Sequence, residues 1–213
     1  MGFQKTDINN ATSHLSRRDK VIGKVIKAVG PFTLRLERNR FKMLVRSIIS
    51  QQISTGAARS IREKLDALVD GNVTADTISS LNDDQLRSAG LSPQKTRYLH
   101  DLSSRVHSGE IRLRTIGRRS DESVIEELVQ IKGVGRWTAQ MFLIFSLGRL
   151  DVLPYDDLGI KSAIRNLYGL GDLPDRQKVE AIADPWRPYA SIACWYCWRS
   201  LDLERNGKTK VPT

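Results

Sequence analysis

The chain is poor in the residues that announce metal and disulfide chemistry. Its 213 residues include only two cysteines and three histidines. Cys194 and Cys197 stand in C-x-x-C spacing, while His14, His100 and His107 are scattered, so a four-ligand zinc or iron–sulfur site lacks its donors. The cysteines lie in the apolar, aromatic run ACWYCW, which reads as a buried helix. Core packing is therefore the first reading of the pair and a redox couple the second. Neither a catalytic metal nor a cofactor is expected. No apolar run approaches the roughly 20 residues of a bilayer span. The opening stretch, MGFQKTDINNATSHLSRRDK, lacks the apolar core of a secretory signal. A cytoplasmic or nuclear protein is expected. Acid is scarce too: 24 Asp and Glu face 34 Lys and Arg, giving a formal charge of +10. Such a surplus draws polyanions through a long-range field, nucleic acid above all, although a chain basic for solubility would look the same.

Strand-like alternation is also missing, and no repeat recurs at a solenoid period. What is present is helical patterning. Val21, Ile22, Val25, Ile26 and Val29 recur at helical spacing before Gly30-Pro31. Phe41 to Ile49 and Ala57 to Leu68 repeat the pattern. Asn82 and Gln85 form a capping box for a short helix ending at Gly90, and Ser92-Pro93 opens another. Further helices are predicted from Ser120, over about Arg136–Leu147, over about Asp157–Tyr168 and over about Pro188–Leu203. The expectation is a compact all-α fold of about ten helices. Residues 1–16 would be a flexible N-terminus and 204–213 a basic tail.

The segment LVQIKGVGRWTA, Leu128 to Ala139, carries the most chemistry. One helix ends, the turn I-K-G-V-G intervenes, and another helix begins. Gly133 and Gly135 would permit positive φ and a close backbone approach. The amides of the turn and of the first helical residues then suit a phosphate, aided by the helix dipole. Thr138 could add its hydroxyl, and Val134 would tuck between the helices. A lone G-x-G would be an ordinary helical turn; the longer pattern, in a basic chain, is more specific. Farther on, Asp156 and Asp157 open a helix. Aspartate there is a favoured N-cap, and a fixed carboxylate also stabilises a cationic sugar and orients water.

Taken together, the hairpin, FKMLVRSIISQQIS (Phe41 to Ser54), QIKGVGRWTAQMFLIFSLGRLDVLPYDDLGIKSAI (Gln130 to Ile164) and PWRPYASIACWYCW (Pro185 to Trp198) resemble the helix-hairpin-helix DNA glycosylases, and among them the 3-methyladenine DNA glycosylase II branch. The resemblance covers residues 17–203. It implies a two-subdomain helical fold, the N- and C-terminal helices forming one subdomain and the central helices the other; the β domain of some members is not expected, the chain starting too late for it, nor an iron–sulfur cluster, whose ligands are missing. It implies duplex DNA with a damaged base as partner, and a monomer suffices. Asp157, the second acid of its pair, matches the catalytic carboxylate. Gln52 matches the wedge that fills the gap left by an everted base. Lys132, Gly133, Val134, Gly135, Arg136 and Thr138 match the DNA-binding hairpin. Trp137 and Trp195 match pocket walls, with Tyr155 a third candidate. Met141 and Leu158 stand where tyrosines can occur. Members that also nick the strand carry a lysine at the position of Trp137, so the resemblance implies a hydrolase without lyase activity. Trp186 and Trp198 read as core. By their charge alone Arg59, Lys95 and Arg97 are candidates to meet phosphates, Lys95-Thr96-Arg97 as a second contact at the start of a helix. Glycosylases for oxidised or mismatched bases, and a DNA-binding module without activity, are the competing readings. The carboxylate argues against the module, which has no need of it.

Overall fold

The computed structural model describes residues 3–205, and among these it contains helices and no strand. In chain order the helices are α1 (Lys5–Arg18), α2 (Lys20–Val29), α3 (Arg40–Ser50), α4 (Thr55–Leu68), α5 (Ala75–Ser79), α6 (Asp83–Ser88), α7 (Pro93–His107), α8 (Asp121–Leu128), α9 (Arg136–Phe142), α10 (Leu158–Leu167), α11 (Arg176–Ala183) and α12 (Ala190–Arg205). None of them is long and apolar enough to cross a membrane. The chain divides into two compact units. A terminal unit takes Met1–Leu36 and Gly148–Thr213, and a central unit takes Glu37–Leu147.

In the terminal unit, α1 packs on α2, and α12 packs on α1, α2 and α10. The expectation of a flexible start is corrected here. The segment KTDINNATSHLSRR forms α1, with Ala11 and Leu15 fully buried. Two apolar anchors on one face suffice because α2 supplies the other side; a polar helix of this length would be marginal alone. The α1–α2 joint is fixed by Asp19. Its carboxylate caps α2 through the amides of Val21 and Ile22, at 2.9 and 3.1 Å. It also accepts the Trp186 indole N–H at 2.8 Å and the Tyr168 hydroxyl. Burial and the neighbouring Asp19 push the Tyr168 phenol far above its ordinary value. Trp186 is thus a core residue whose one polar atom has a partner. Cys194 and Cys197 are fully buried on α12, and burial raises both thiols.

In the central unit, α3 packs on α4, α7 and α9. Phe41, Leu44, Val45, Ile48 and Ile49 of α3 are all buried. Side chains of this kind stabilise by about 1.5–3 kcal/mol each when buried. Side-chain caps start most of the helices: Asn39 on α3, Ser54 on α4, Asn82 on α6, Ser92 on α7 and Ser120 on α8. The predicted 82–85 capping box is present with both its hydrogen bonds. The helix expected over 136–147 stops being an α-helix at Phe142. Leu143–Leu147 is wound as a π-helix, ending before Gly148 at φ +67°. Over one turn, an apolar run does not distinguish the two windings.

Candidate DNA-binding and base-excision site

The central unit holds the hairpin. Helix α8 ends at Leu128, the chain turns through Gln130–Val134, and Gly135 caps α9. Val134 is buried, as its placement between the helices requires. Gly133 has φ +80°, whereas Gly135, also expected in positive φ, is extended at φ −94°. The two glycines therefore answer to different constraints. A Cβ on Gly133 would lie 2.1 Å from Cδ2 of Tyr98, so the α7 ring packs flat against this turn. A Cβ on Gly135 would meet nothing within 4 Å, which leaves an open surface above the start of α9. Among the described residues the amides of Gly133 and Gly135 have no acceptor. Gly135 gives α9 no side-chain cap. These are the conditions under which a phosphate oxygen finds ready donors.

The side chains around this turn are committed to particular partners. Lys132 is anchored by its amide to Asp101 at 2.9 Å, with its ammonium 3.7 Å from the same carboxylate. Arg136 forms a two-pronged ion pair with Glu122, at 2.7 and 2.8 Å. The hydroxyl of Thr138, expected to face a phosphate, is instead buried and accepts the Gln51 amide at 3.4 Å. Met141 is buried on α9, and Trp137 is 38% exposed at the start of that helix.

Gln51, to which sequence reasoning assigned no role, is tied to the hairpin. It lies at the end of α3, and its Nε2 donates to the carbonyl of Gly133 at 2.8 Å. Lys95 braces the same place. Its ammonium donates to the carbonyls of Ile49 and Gln51, both at 2.7 Å, and burial pushes its pKa down. Lys95, whose place at the start of α7 suggested a phosphate contact, spends its ammonium on these two carbonyls. It is the cation that closes the carboxyl end of α3. Between these braces and Ser54 stands Gln52, exposed and held at φ +56°, a conformation unusual for a residue with a side chain.

The terminal unit holds the carboxylate. Asp157 is the N-cap of α10, and its Oδ1 accepts the Ile160 amide at 2.8 Å. The same oxygen accepts the indole N–H of Trp198 at 2.9 Å. Trp198, expected to be plain core, is half-buried and reaches back from α12 to this cap. Asp156, by contrast, is exposed, with the Lys161 ammonium at 3.6 Å. Tyr155 lies next to the pair, covered by the Arg176 guanidinium 4.2 Å from its centroid. Leu158 is 66% exposed. Trp195 is buried against Phe32, with ring centroids 4.6 Å apart, and against Tyr196, edge to face at 4.9 Å. Phe32, in the loop after α2, was not foreseen either. Among the described residues no three His, Cys, Asp or Glu side chains gather as a metal ion would need.

Residues 45–188 match the family described as HhH-GPD superfamily base excision DNA repair protein. The chain belongs to this superfamily. Among its curated relatives is the alkylbase DNA glycosidase-like protein mag2 of Schizosaccharomyces pombe, 34% identical over 95% of this chain and 98% of that protein. DNA-3-methyladenine glycosylase 1 of the same yeast is 33% identical over 97% of this chain and 93% of its own. A solved structure of the S. pombe 3-methyladenine DNA glycosylase in complex with abasic DNA superposes with a TM-score of 0.86. That match covers 96% of this chain and 99% of the other at 32% identity. The HhH-GPD fold thus accounts for both units, the hairpin lying in one and the capped aspartate in the other.

Proposed function

We propose that the protein is a monofunctional DNA glycosylase that hydrolyses the N-glycosidic bond of alkylated purines, of the 3-methyladenine and 7-methylguanine kind, in duplex DNA. It would act as a monomer wherever the cell keeps its DNA, in cytoplasm or nucleus. The names and the DNA complex of its relatives support the substrate class. The observation that carries the chemistry is the carboxylate of Asp157, oriented by the first turn of α10.

An N3- or N7-alkylated purine is already cationic. When its bond to C1′ breaks, the bonding pair stays with the base, which leaves neutral and needs no proton from the protein. The deoxyribose is left as an oxocarbenium ion. A fixed carboxylate beside C1′ stabilises that charge more than it stabilises the neutral sugar of the ground state. Water then adds to C1′ and gives up a proton, for which Asp157 is the acceptor. Gln52 would fill the space left by the everted nucleotide, and the amides around Gly133 and Gly135 would hold the backbone. The ring of Trp137 offers a stacking face for an electron-poor base, and Tyr155, Trp195, Met141 and Leu158 are the other residues proposed to shape the base's surroundings. With tryptophan at position 137 no amine stands there for a Schiff base, so strand nicking is not expected.

Release of free base from methylated duplex DNA tests the proposal. The wild type should release base and leave an alkali-labile strand, Asp157→Asn should release at least 100-fold less, and borohydride should trap no protein–DNA adduct. Intact DNA binding with no release from any alkylated substrate would leave only a binding module, and a trapped adduct would contradict the monofunctional assignment.

A further inference from the structure

The indole of Trp198 bears on the reaction through the carboxylate it holds. It projects from α12, 41 residues beyond Asp157, yet its Nε1–H lies 2.9 Å from Oδ1. The Ile160 amide reaches that same oxygen at 2.8 Å. Two donors from two helices thus converge on one carboxylate oxygen. An N-cap needs only the amide, which α10 supplies itself. The second donor adds a constraint that capping does not require, since it fixes rotation of the carboxylate about its last torsion. Gly159 completes the arrangement. A Cβ there would stand 2.9 Å from Oδ1 of Asp157, 3.0 Å from Cδ1 of Trp198 and 3.1 Å from its Nε1. The first turn of α10 therefore carries no side chain at the one place where a methyl group would push indole and carboxylate apart.

We infer that Trp198 is a positioning residue for base excision: its N–H, admitted by Gly159, sets the orientation in which Asp157 meets the sugar. This rests on the assignment of Asp157 as the group that stabilises the oxocarbenium ion. Stabilisation of a short-lived charge depends on dipoles and charges fixed beforehand, and a misplacement of about 1 Å can cost on the order of 100-fold in rate. Binding of DNA through the hairpin makes no such demand on the carboxylate.

The test compares Trp198→Phe, Gly159→Ala and Asp157→Asn in the full chain. Base release from duplex DNA carrying 7-methylguanine is followed in single turnover with enzyme in excess. Affinity is measured separately by anisotropy on a duplex with a tetrahydrofuran abasic analogue. Trp198→Phe removes the donor and keeps most of the ring; release should slow roughly 10- to 100-fold, with affinity within about two-fold of the wild type. Gly159→Ala keeps both partners and separates them, and should show the same split. It decides the matter should Trp198→Phe fail to fold. Wild-type release rates in both variants, with Asp157→Asn inactive, would overturn the role of Trp198 while sparing that of Asp157. A loss of affinity in proportion to the loss of rate would reduce Trp198 to packing. Wild-type release by Asp157→Asn would instead remove the carboxylate from the mechanism.

Discussion

The two hairpin glycines separate folding from binding, and alanine at each gives opposite results. At Gly133 the backbone sits at φ +80°, where a side chain costs about 1–2 kcal/mol. The new methyl would also fall 2.1, 2.3 and 2.6 Å from three ring carbons of Tyr98, none of them a flexible chain end. The ring must retreat by more than about 1 Å to reach ordinary contact, and overpacking of this kind costs a further 1–3 kcal/mol or so. Gly133→Ala should therefore lose roughly 2–5 kcal/mol, seen as a fall of about 1–2 M in the urea midpoint. Removing the ring tests the cause. Tyr98→Ala in the Gly133→Ala background should cost less than Tyr98→Ala alone, since the clash has gone. At Gly135, with φ −94° and open space at the Cβ position, alanine should shift stability by no more than about 1 kcal/mol in either direction. It should nonetheless weaken binding to duplex DNA at least 10-fold, because the methyl stands where backbone and phosphate would meet. An unchanged urea midpoint in Gly133→Ala, or additive effects of the two changes at 98 and 133, would refute the packing argument. Unchanged affinity in Gly135→Ala would refute the assignment of that surface.

Two other predictions concern groups that burial has perturbed. Lys95→Met removes both hydrogen bonds to the end of α3, at Ile49 and Gln51, and should cost about 1–2 kcal/mol. With Gln52 no longer braced, eversion of a 2-aminopurine neighbour, read by its fluorescence, should fall more than affinity for DNA does; an equal fall in both would mean that Lys95 meets DNA directly. Cys194 and Cys197 are raised by burial above their ordinary value of 9.0, so the folded state keeps two protons that the unfolded chain gives up. Their contribution is whole below pH 9 and is lost above it, with a limiting slope of about 1.4 kcal/mol per pH unit for each thiol. Replacing both by alanine should flatten stability between pH 9 and 10, and an unaltered slope would show that other groups govern alkaline unfolding.

Sequence reasoning succeeded where the determinant was local. The Asn82–Gln85 box, the Ser92-Pro93 start and the Val134 tuck all depend on residues within one turn of one another. The misreadings share a different physics. Helix α1 looked loose because Ala11 and Leu15 are its fully buried residues, with Ile8 packed in part, and its stability comes from α2 and α12 rather than from its own pattern. Gln51 and Gly133 meet across 82 positions, Lys95 and Ile49 across 46, and no periodicity encodes either contact. Trp198 did leave a signal. A tryptophan in a largely buried helix needs an acceptor for its N–H, and that acceptor is the carboxylate already singled out at position 157. Trp195 was read as a pocket wall and Trp198 as core, so no acceptor was sought for the second indole.

The choice between Asp156 and Asp157 turns on the same principle. Capping and catalysis looked like competing explanations of an aspartate at a helix start, but a capped carboxylate is one already oriented, so the two roles are compatible. Asp156 is exposed, with the Lys161 ammonium at 3.6 Å and the Arg176 charge nearby, so water can reorient it at small cost. Asp157 is tied at one oxygen by an α10 amide and an α12 indole. A carboxylate already held in place spends no reorganisation energy when positive charge develops beside it. The α10 amide makes Asp157 a cap, and the Trp198 indole, which capping does not require, adds the restraint that would make it an effective counter-charge, so the structural role does not count against the chemical one.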